Sequence, residues 1–124
     1  MRLNHLLVVA DDLQAMRRFF VQVIGLEDGP RPPFPFPGHW LYSEGAALIH
    51  LAQASAEPGD RRGDSAGVID HLAIEGADLA VIRDRLRALG VEHFERRVPV
   101  EGHLQIFVPG PEGVKVEFLF PLTA

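Results

Sequence analysis

The sequence contains no cysteine, which excludes a disulfide scaffold, a thiolate metal site and a cysteine nucleophile. No apolar run approaches the roughly 20 residues that span a bilayer. The opening Met1-Arg2-Leu3-Asn4-His5 lacks the apolar stretch of a secretory leader, so the cytoplasm is the expected compartment. Basic residues form no long run, and 12 of them stand against 17 acidic ones for a net charge of −5. A nucleic-acid-binding face is therefore not expected. Serine is confined to Ser43, Ser55 and Ser65, all in turns or linker, and no Gly-x-Ser-x-Gly elbow or strand-to-helix phosphate loop occurs. What is present is 124 residues, 47% hydrophobic and 23% charged. That is one domain's worth of chain, able to bury roughly two-thirds of its extended surface.

The chain is written twice. At an offset of 66, Leu3-Asn4-His5-Leu6-Leu7-Val8-Val9 lies over Ile69-Asp70-His71-Leu72-Ala73-Ile74-Glu75. Each run is followed by an aspartate suited to N-capping, Asp12 and Asp78. A helical stripe follows in each half: Leu13, Met16, Phe20 and Val23, then Leu79, Ile82, Leu86 and Leu89. Each stripe stops at a glycine, Gly25 or Gly90, suited to a left-handed cap. Strands follow. In the first half, Trp40–Tyr42 and Ala47–Leu51 flank a turn at Ser43-Glu44-Gly45. In the second, Val91–Val98 and Leu104–Val108 precede Val114–Phe120, which alternates cleanly. The tract Arg31–Pro37 is too proline-rich for a sheet interior and reads as a loop or extended edge. The expected fold is α+β, two tandem β-α-β-β-β modules. Module one covers 1–54, a polar linker 55–67 and module two 68–124, within one domain of 1–124.

Four polar residues interrupt the strands at matching places. His5 and His71 fall on the first strand of each half. At an offset of 67, Ala47–Gln53 lies over Val114–Phe120, so that His50 falls on Glu117. If an approximate two-fold relates the halves, these four side chains converge near its axis. Three imidazoles and a carboxylate suit a divalent transition metal such as Fe, Mn, Ni, Co or Zn.

With these residues in view, the chain resembles the vicinal oxygen chelate superfamily, which includes glyoxalase I, extradiol dioxygenases, methylmalonyl-CoA epimerase and the fosfomycin- and bleomycin-resistance proteins. The resemblance rests on Asn4-His5-Leu6, Ile49-His50-Leu51, Asp70-His71-Leu72 and Val116-Glu117-Phe118. The stretch Phe107–Gly113 is similar to the family's "F-x-D-P-D-G" turn, with Gly110 and Glu112 in place of its aspartates. Carried over by position, His5, His71 and Glu117 match the most regular metal ligands, and Glu117 is the candidate catalytic carboxylate. His50 matches a position that is often glutamate in glyoxalase I and glutamine in the epimerase. The resemblance further implies that the sheets of the two modules curve around a metal cleft, that the chain forms a homodimer, and that its substrate is a small molecule with two neighbouring oxygens.

Three activities fit that resemblance. A lyase or isomerase of the glyoxalase or epimerase kind would use all four ligands. A small extradiol-type dioxygenase would use three. A drug- or metabolite-sequestering protein of the bleomycin-resistance type would do no chemistry. Candidate pocket residues are Trp40, Tyr42, His103 and Gln105, with His39 beside them. Arg61, Arg62, Arg96 and Arg97 are candidate anion clamps. The stiff Pro33–Pro37 tract next to Trp40 suits either a pocket wall or a dimer edge.

Overall fold

A computed structural model describes residues 1–54, 69–98 and 102–122 of the chain. The linker expected at 55–67, with Arg61 and Arg62, lies outside the described residues. The chain divides into two compact units, Met1–Gly63 and Asp64–Ala124.

The first unit runs β1 (Leu6–Ala10), α1 (Leu13–Arg18), β2 (Glu27–Gly29), β3 (Gly38–Ser43) and β4 (Ala46–Gln53). Its four-stranded sheet has the order β1-β4-β3-β2, with β1 and β4 parallel and the other pairs antiparallel. Asp12 caps α1 as its position suggests, its carboxylate accepting the Ala15 N–H at 3.0 Å. From Phe19 to Ile24 the helix widens into a π turn, and the Gly25 and Leu26 N–H groups both reach the Phe20 carbonyl, at 3.0 and 2.9 Å. That widening delays the buried face by about one residue. Ile24 is therefore buried where the regular spacing points to Val23, which is half-buried. Leu13, Met16, Phe19 and Phe20 join Ile24 in a core completed by Leu41, Ile49 and Leu51 of the sheet.

The second unit runs β5 (Leu72–Glu75), α2 (Leu79–Leu89), β6 (Phe94–Val98), β7 (His103–Pro109) and β8 (Lys115–Pro121), with the sheet order β5-β8-β7-β6. Asp78 caps α2 by accepting the Val81 N–H at 3.2 Å. Gly90 ends it in the left-handed region at φ 63°. Ile82 and Leu86 are buried, as are Leu104, Ile106, Val108, Val116, Phe118 and Phe120 of the sheet, whereas Leu89 is 50% exposed. The buried stripe is thus shorter than its spacing suggests, ending at Leu86. Each such buried side chain contributes roughly 1.5–3 kcal/mol.

The architecture is α+β, with two mixed sheets built by the same β-α-β-β-β order. The starts of β1, β5 and β6 differ from the sequence reading. His5 and His71 precede β1 and β5 rather than sitting at strand centres, and β6 begins at Phe94 rather than Val91. Among the described residues no helix is long and apolar enough to cross a membrane.

Candidate metal centre

Strand pairing makes the two halves equivalent residue by residue. In the first unit Leu7 of β1 is the partner of His50 on β4. In the second, Ala73 of β5 is the partner of Glu117 on β8. The parallel β1–β4 and β5–β8 pairs therefore carry one polar residue each at the same register, flanked by core residues that point to the opposite face.

In the second unit, His71 Nε2 stands 3.2 Å from Glu117 Oε1. Glu117 is 5% exposed and is the one buried charged residue among those described. The other ring nitrogen, Nδ1, is 2.7 Å from Asp70 Oδ2, and Lys115 Nζ holds the same oxygen at 3.0 Å. Hydrogen bonds from His71 and then Lys115 keep the Asp70 carboxyl below the usual carboxylate range, so it is a firm acceptor. In the neutral ring, Nδ1–H donating to Asp70 leaves the Nε2 lone pair directed at the Glu117 carboxylate. Two electron-rich atoms at that separation call for a proton or a metal cation between them.

Gln105, one of the residues singled out for the pocket, belongs to this group. Its amide donates to Glu117 Oε1 at 3.4 Å while its oxygen accepts from Arg96 Nε at 3.0 Å. The Arg96 guanidinium lies over the Phe107 ring, 5.6 Å from its centroid. Phe107 in turn meets His71 edge to face at 5.5 Å. His103 is half-buried two residues along β7, on the same side as Gln105.

In the first unit the imidazoles of His5 and His50 are stacked, with centroids 3.9 Å apart and planes 10° from parallel. Burial, and then the charge of His5, lowers the His50 pKa below the ordinary imidazole value, against a backbone hydrogen bond at Ala47 that raises it. Both main causes favour the neutral ring, the form that donates to a metal. His5 Nδ1 is 2.7 Å from Asn4 Oδ1. The contact reproduces the Asp70–His71 pair at the equivalent place, and each leading histidine is thereby turned to offer Nε2. Orientation of a ligating imidazole by an oxygen on its far nitrogen is a general feature of metal sites. The pairing was legible in the same 66-residue offset, which lines up Asn4 with Asp70, yet nothing in the spacing alone showed the contact.

The other candidates separate. Trp40, paired across the sheet with His50, stacks on its ring at 3.9 Å. Tyr42 packs its ring near Gly29 and donates its hydroxyl to the Pro30 carbonyl at 2.5 Å, so that group is engaged in holding the β2–β3 connection. His39 turns to the helix side, 3.3 Å from Gln14 Nε2 and 3.7 Å from Asp28. His93 donates to the Val91 carbonyl at 2.7 Å. Among the described residues no group of three or more His, Asp or Glu side chains gathers at one point; the donors stand as pairs within each unit. The chemistry of those pairs, imidazole nitrogen with a buried carboxylate, fits a borderline divalent ion.

A family model described as the Glyoxalase/Bleomycin resistance protein/Dioxygenase superfamily matches residues 2–118. No curated protein matches significantly. Solved structures share the fold. A glyoxylase/bleomycin resistance protein/dioxygenase domain from Frankia sp. EAN1pec is 14% identical, with a TM-score of 0.75 over 98% of each chain. A lactoylglutathione lyase from Agrobacterium tumefaciens is 22% identical, with a TM-score of 0.68 over 96% of this chain and 92% of that one. TnmS3, an antibiotic binding protein from Streptomyces sp. CB03234, is 19% identical, with a TM-score of 0.71 over 98% and 96%.

Proposed function

We propose, for a chain that belongs to the Glyoxalase/Bleomycin resistance protein/Dioxygenase superfamily, that His5, His50, His71 and Glu117 hold a divalent transition metal, one of Fe, Mn, Ni, Co or Zn, and that the protein is a lyase or isomerase. The observation that carries this reading is the His71–Glu117 pair at 3.2 Å, with Asp70 occupying the imidazole's other nitrogen. Bound there, a divalent ion supplies Lewis-acid stabilisation of negative charge developing on a substrate oxygen. The substrate is a small molecule with two adjacent oxygens.

The chain's own residues do the remaining work. Asp70 and Asn4 orient the two leading imidazoles. Gln105 steadies Glu117, and Arg96 fixes which end of the Gln105 amide faces it. Glu117 would lower the net charge of the site and is the carboxylate placed to take up or return a substrate proton. The functional unit is a cytoplasmic homodimer. Four protein ligands favour the lyase or isomerase over the extradiol-type dioxygenase, which uses three. Retention of polar side chains at all four positions disfavours a purely sequestering role.

Metal content of the purified protein, reconstituted in turn with each of these ions, tests the reading. The native chain is expected to bind one ion per site, and His71→Ala and Glu117→Gln to lose it. Full metal affinity in either variant would overturn the ligand assignment. Turnover of 2-oxoaldehyde thiol adducts or acyl-CoA epimers, set against O2 uptake with catechols, then separates the two enzymatic readings.

A further inference from the structure

The tract between β2 and β3 has an order that the metal centre does not account for. Pro32, Pro33, Pro35 and Pro37 alternate around Phe34 and Phe36. Prolines fix φ and remove backbone donors, so few conformations are open to the segment; it turns at Pro33, where the Phe34 N–H donates to the Pro32 carbonyl at 2.8 Å, and bends at Pro35 and Phe36. Its two phenyl rings stack on each other, with centroids 5.3 Å apart and planes 9° from parallel. Yet they remain 43% and 46% exposed.

Arg31 lies against both rings, its Cζ 5.1 Å from the centroid of Phe34 and 5.0 Å from that of Phe36. Nη2 donates to the Phe36 carbonyl at 2.9 Å. Nε is buried without a hydrogen-bond partner, and no carboxylate among the described residues pairs with the charge. The absence of a side chain at Gly38 admits this arrangement, since a Cβ there would lie 2.9 Å from Nη2. From Phe34 the rings continue to Trp40, with centroids 6.5 Å apart, and Trp40 stacks on His50. A run of aromatic surface with one unneutralised cation thus ends at a candidate metal ligand.

Two half-exposed phenyl rings offer on the order of 200 Å² at most, far below the roughly 600 Å² that each partner buries in even a small stable protein interface. They match one face of a small planar molecule instead. The cation selects its charge, because Arg beside aromatic rings favours an anion that can take the remaining N–H donors. We propose that Phe34, Phe36 and Trp40, with Arg31, form the binding wall for a planar aromatic anion, whose ring stacks on the phenyl pair and whose acidic group pairs with Arg31. As an assignment of substrate class the proposal rests on the metal-centre reading; as a binding site it does not.

The single tryptophan gives a direct readout. The Trp40 indole N–H resonance is followed by NMR while the full chain, first stripped of metal and then loaded with Zn(II), is titrated with 2-naphthoate, naphthalene-2-methanol or cyclohexanecarboxylate. Saturable shifts are expected with 2-naphthoate, weakened roughly tenfold in the Phe34→Leu/Phe36→Leu variant, which stays apolar but loses its planar faces. Arg31→Gln is expected to weaken 2-naphthoate by a similar factor while sparing the neutral naphthalene. The proposal is overturned if 2-naphthoate gives no saturable shift, if cyclohexanecarboxylate binds as well, or if the leucine variant binds unchanged. Binding of 2-naphthoate by a chain that takes up no metal would defeat the metal-centre reading and leave the aromatic wall standing. Metal uptake without 2-naphthoate binding would do the reverse.

Discussion

The indole of Trp40 lies parallel to the imidazole of His50, with centroids 3.9 Å apart and planes 11° from each other. Because Trp40 is the chain's only tryptophan, its emission reports on that imidazole. Addition of Co(II) or Ni(II), which are paramagnetic, is expected to quench the fluorescence strongly, and Zn(II) much less. His50→Ala is expected to reduce the quenching. Co(II) bound with unchanged emission would place the ion away from His50.

Asp70 and Asn4 each hold Nδ1 of the following histidine at 2.7 Å. Asp70→Ala is expected to weaken metal binding by about 10–100-fold. Asn4→Ala is expected to weaken it less, because a neutral amide oxygen is the weaker acceptor. Thermal unfolding of metal-free Asp70→Ala should be nearly unchanged, since the Asp70 side chain is 72% exposed. Competition titration with a metal-binding dye measures the first two effects, and unchanged affinities in both variants would show that the oxygens do not orient the ligands.

How much of this was readable from the one-dimensional pattern differs from residue to residue. Asp12 and Asp78, Gly25 and Gly90 act within one helical turn of their own positions, so local spacing suffices for caps and stops. Ile24 was missed because a π turn changes the angular step per residue, and nothing in Phe19–Ile24 signals it. The places of His5 and His71 ahead of the strands depend on where the parallel partners β4 and β8 begin to pair, which is a long-range property. Gln105 was legible only as a strand residue and pocket candidate; its contact with Glu117 needed the β7–β8 register and its tie to Arg96 the β6–β7 register.

The α2 helix gives a test of packing. Leu86 is fully buried, and Leu86→Ala is expected to cost about 2–5 kcal/mol. Leu89→Ala, three residues on and half exposed, should change stability by no more than about 0.5 kcal/mol. Urea denaturation of both variants measures the contrast, and equal losses would contradict the placement of the last turn of α2.

Arg83 reaches from α2 to Glu95 on β6, with Nη2 2.6 Å from Oε1. Hydrogen bonding from Arg83 holds the Glu95 carboxyl below the usual carboxylate range, against partial burial that raises it. A depressed carboxylate pKa contributes stability in full above its unfolded value, and the contribution is lost as pH falls through the lowered folded value. The side chains are 36% and 33% exposed, so solvent screening limits the pair to roughly 0.5 kcal/mol. Arg83→Gln should therefore unfold at a slightly lower temperature than the native chain at about pH 7, with the difference closing towards about pH 2. A gap independent of pH would assign the effect to packing of the arginine stem.

By itself the sequence determined the duplicated β-α-β-β-β order, the capped helices, the alternating core of β8 and the equivalence of His50 with Glu117. Each of these is a matter of period or offset along the chain, which side-chain alternation and helical pitch impose directly. Only the tertiary structure decided that Asn4 and Asp70 turn their neighbouring imidazoles, that Glu117 is buried against His71, and that Trp40 joins Phe34 to His50. Those contacts depend on strand register and on rotamers chosen in a packed environment. Both are set by chain segments up to some 46 residues apart, as between Asp70 and Lys115 or His71 and Glu117, and no local pattern encodes them.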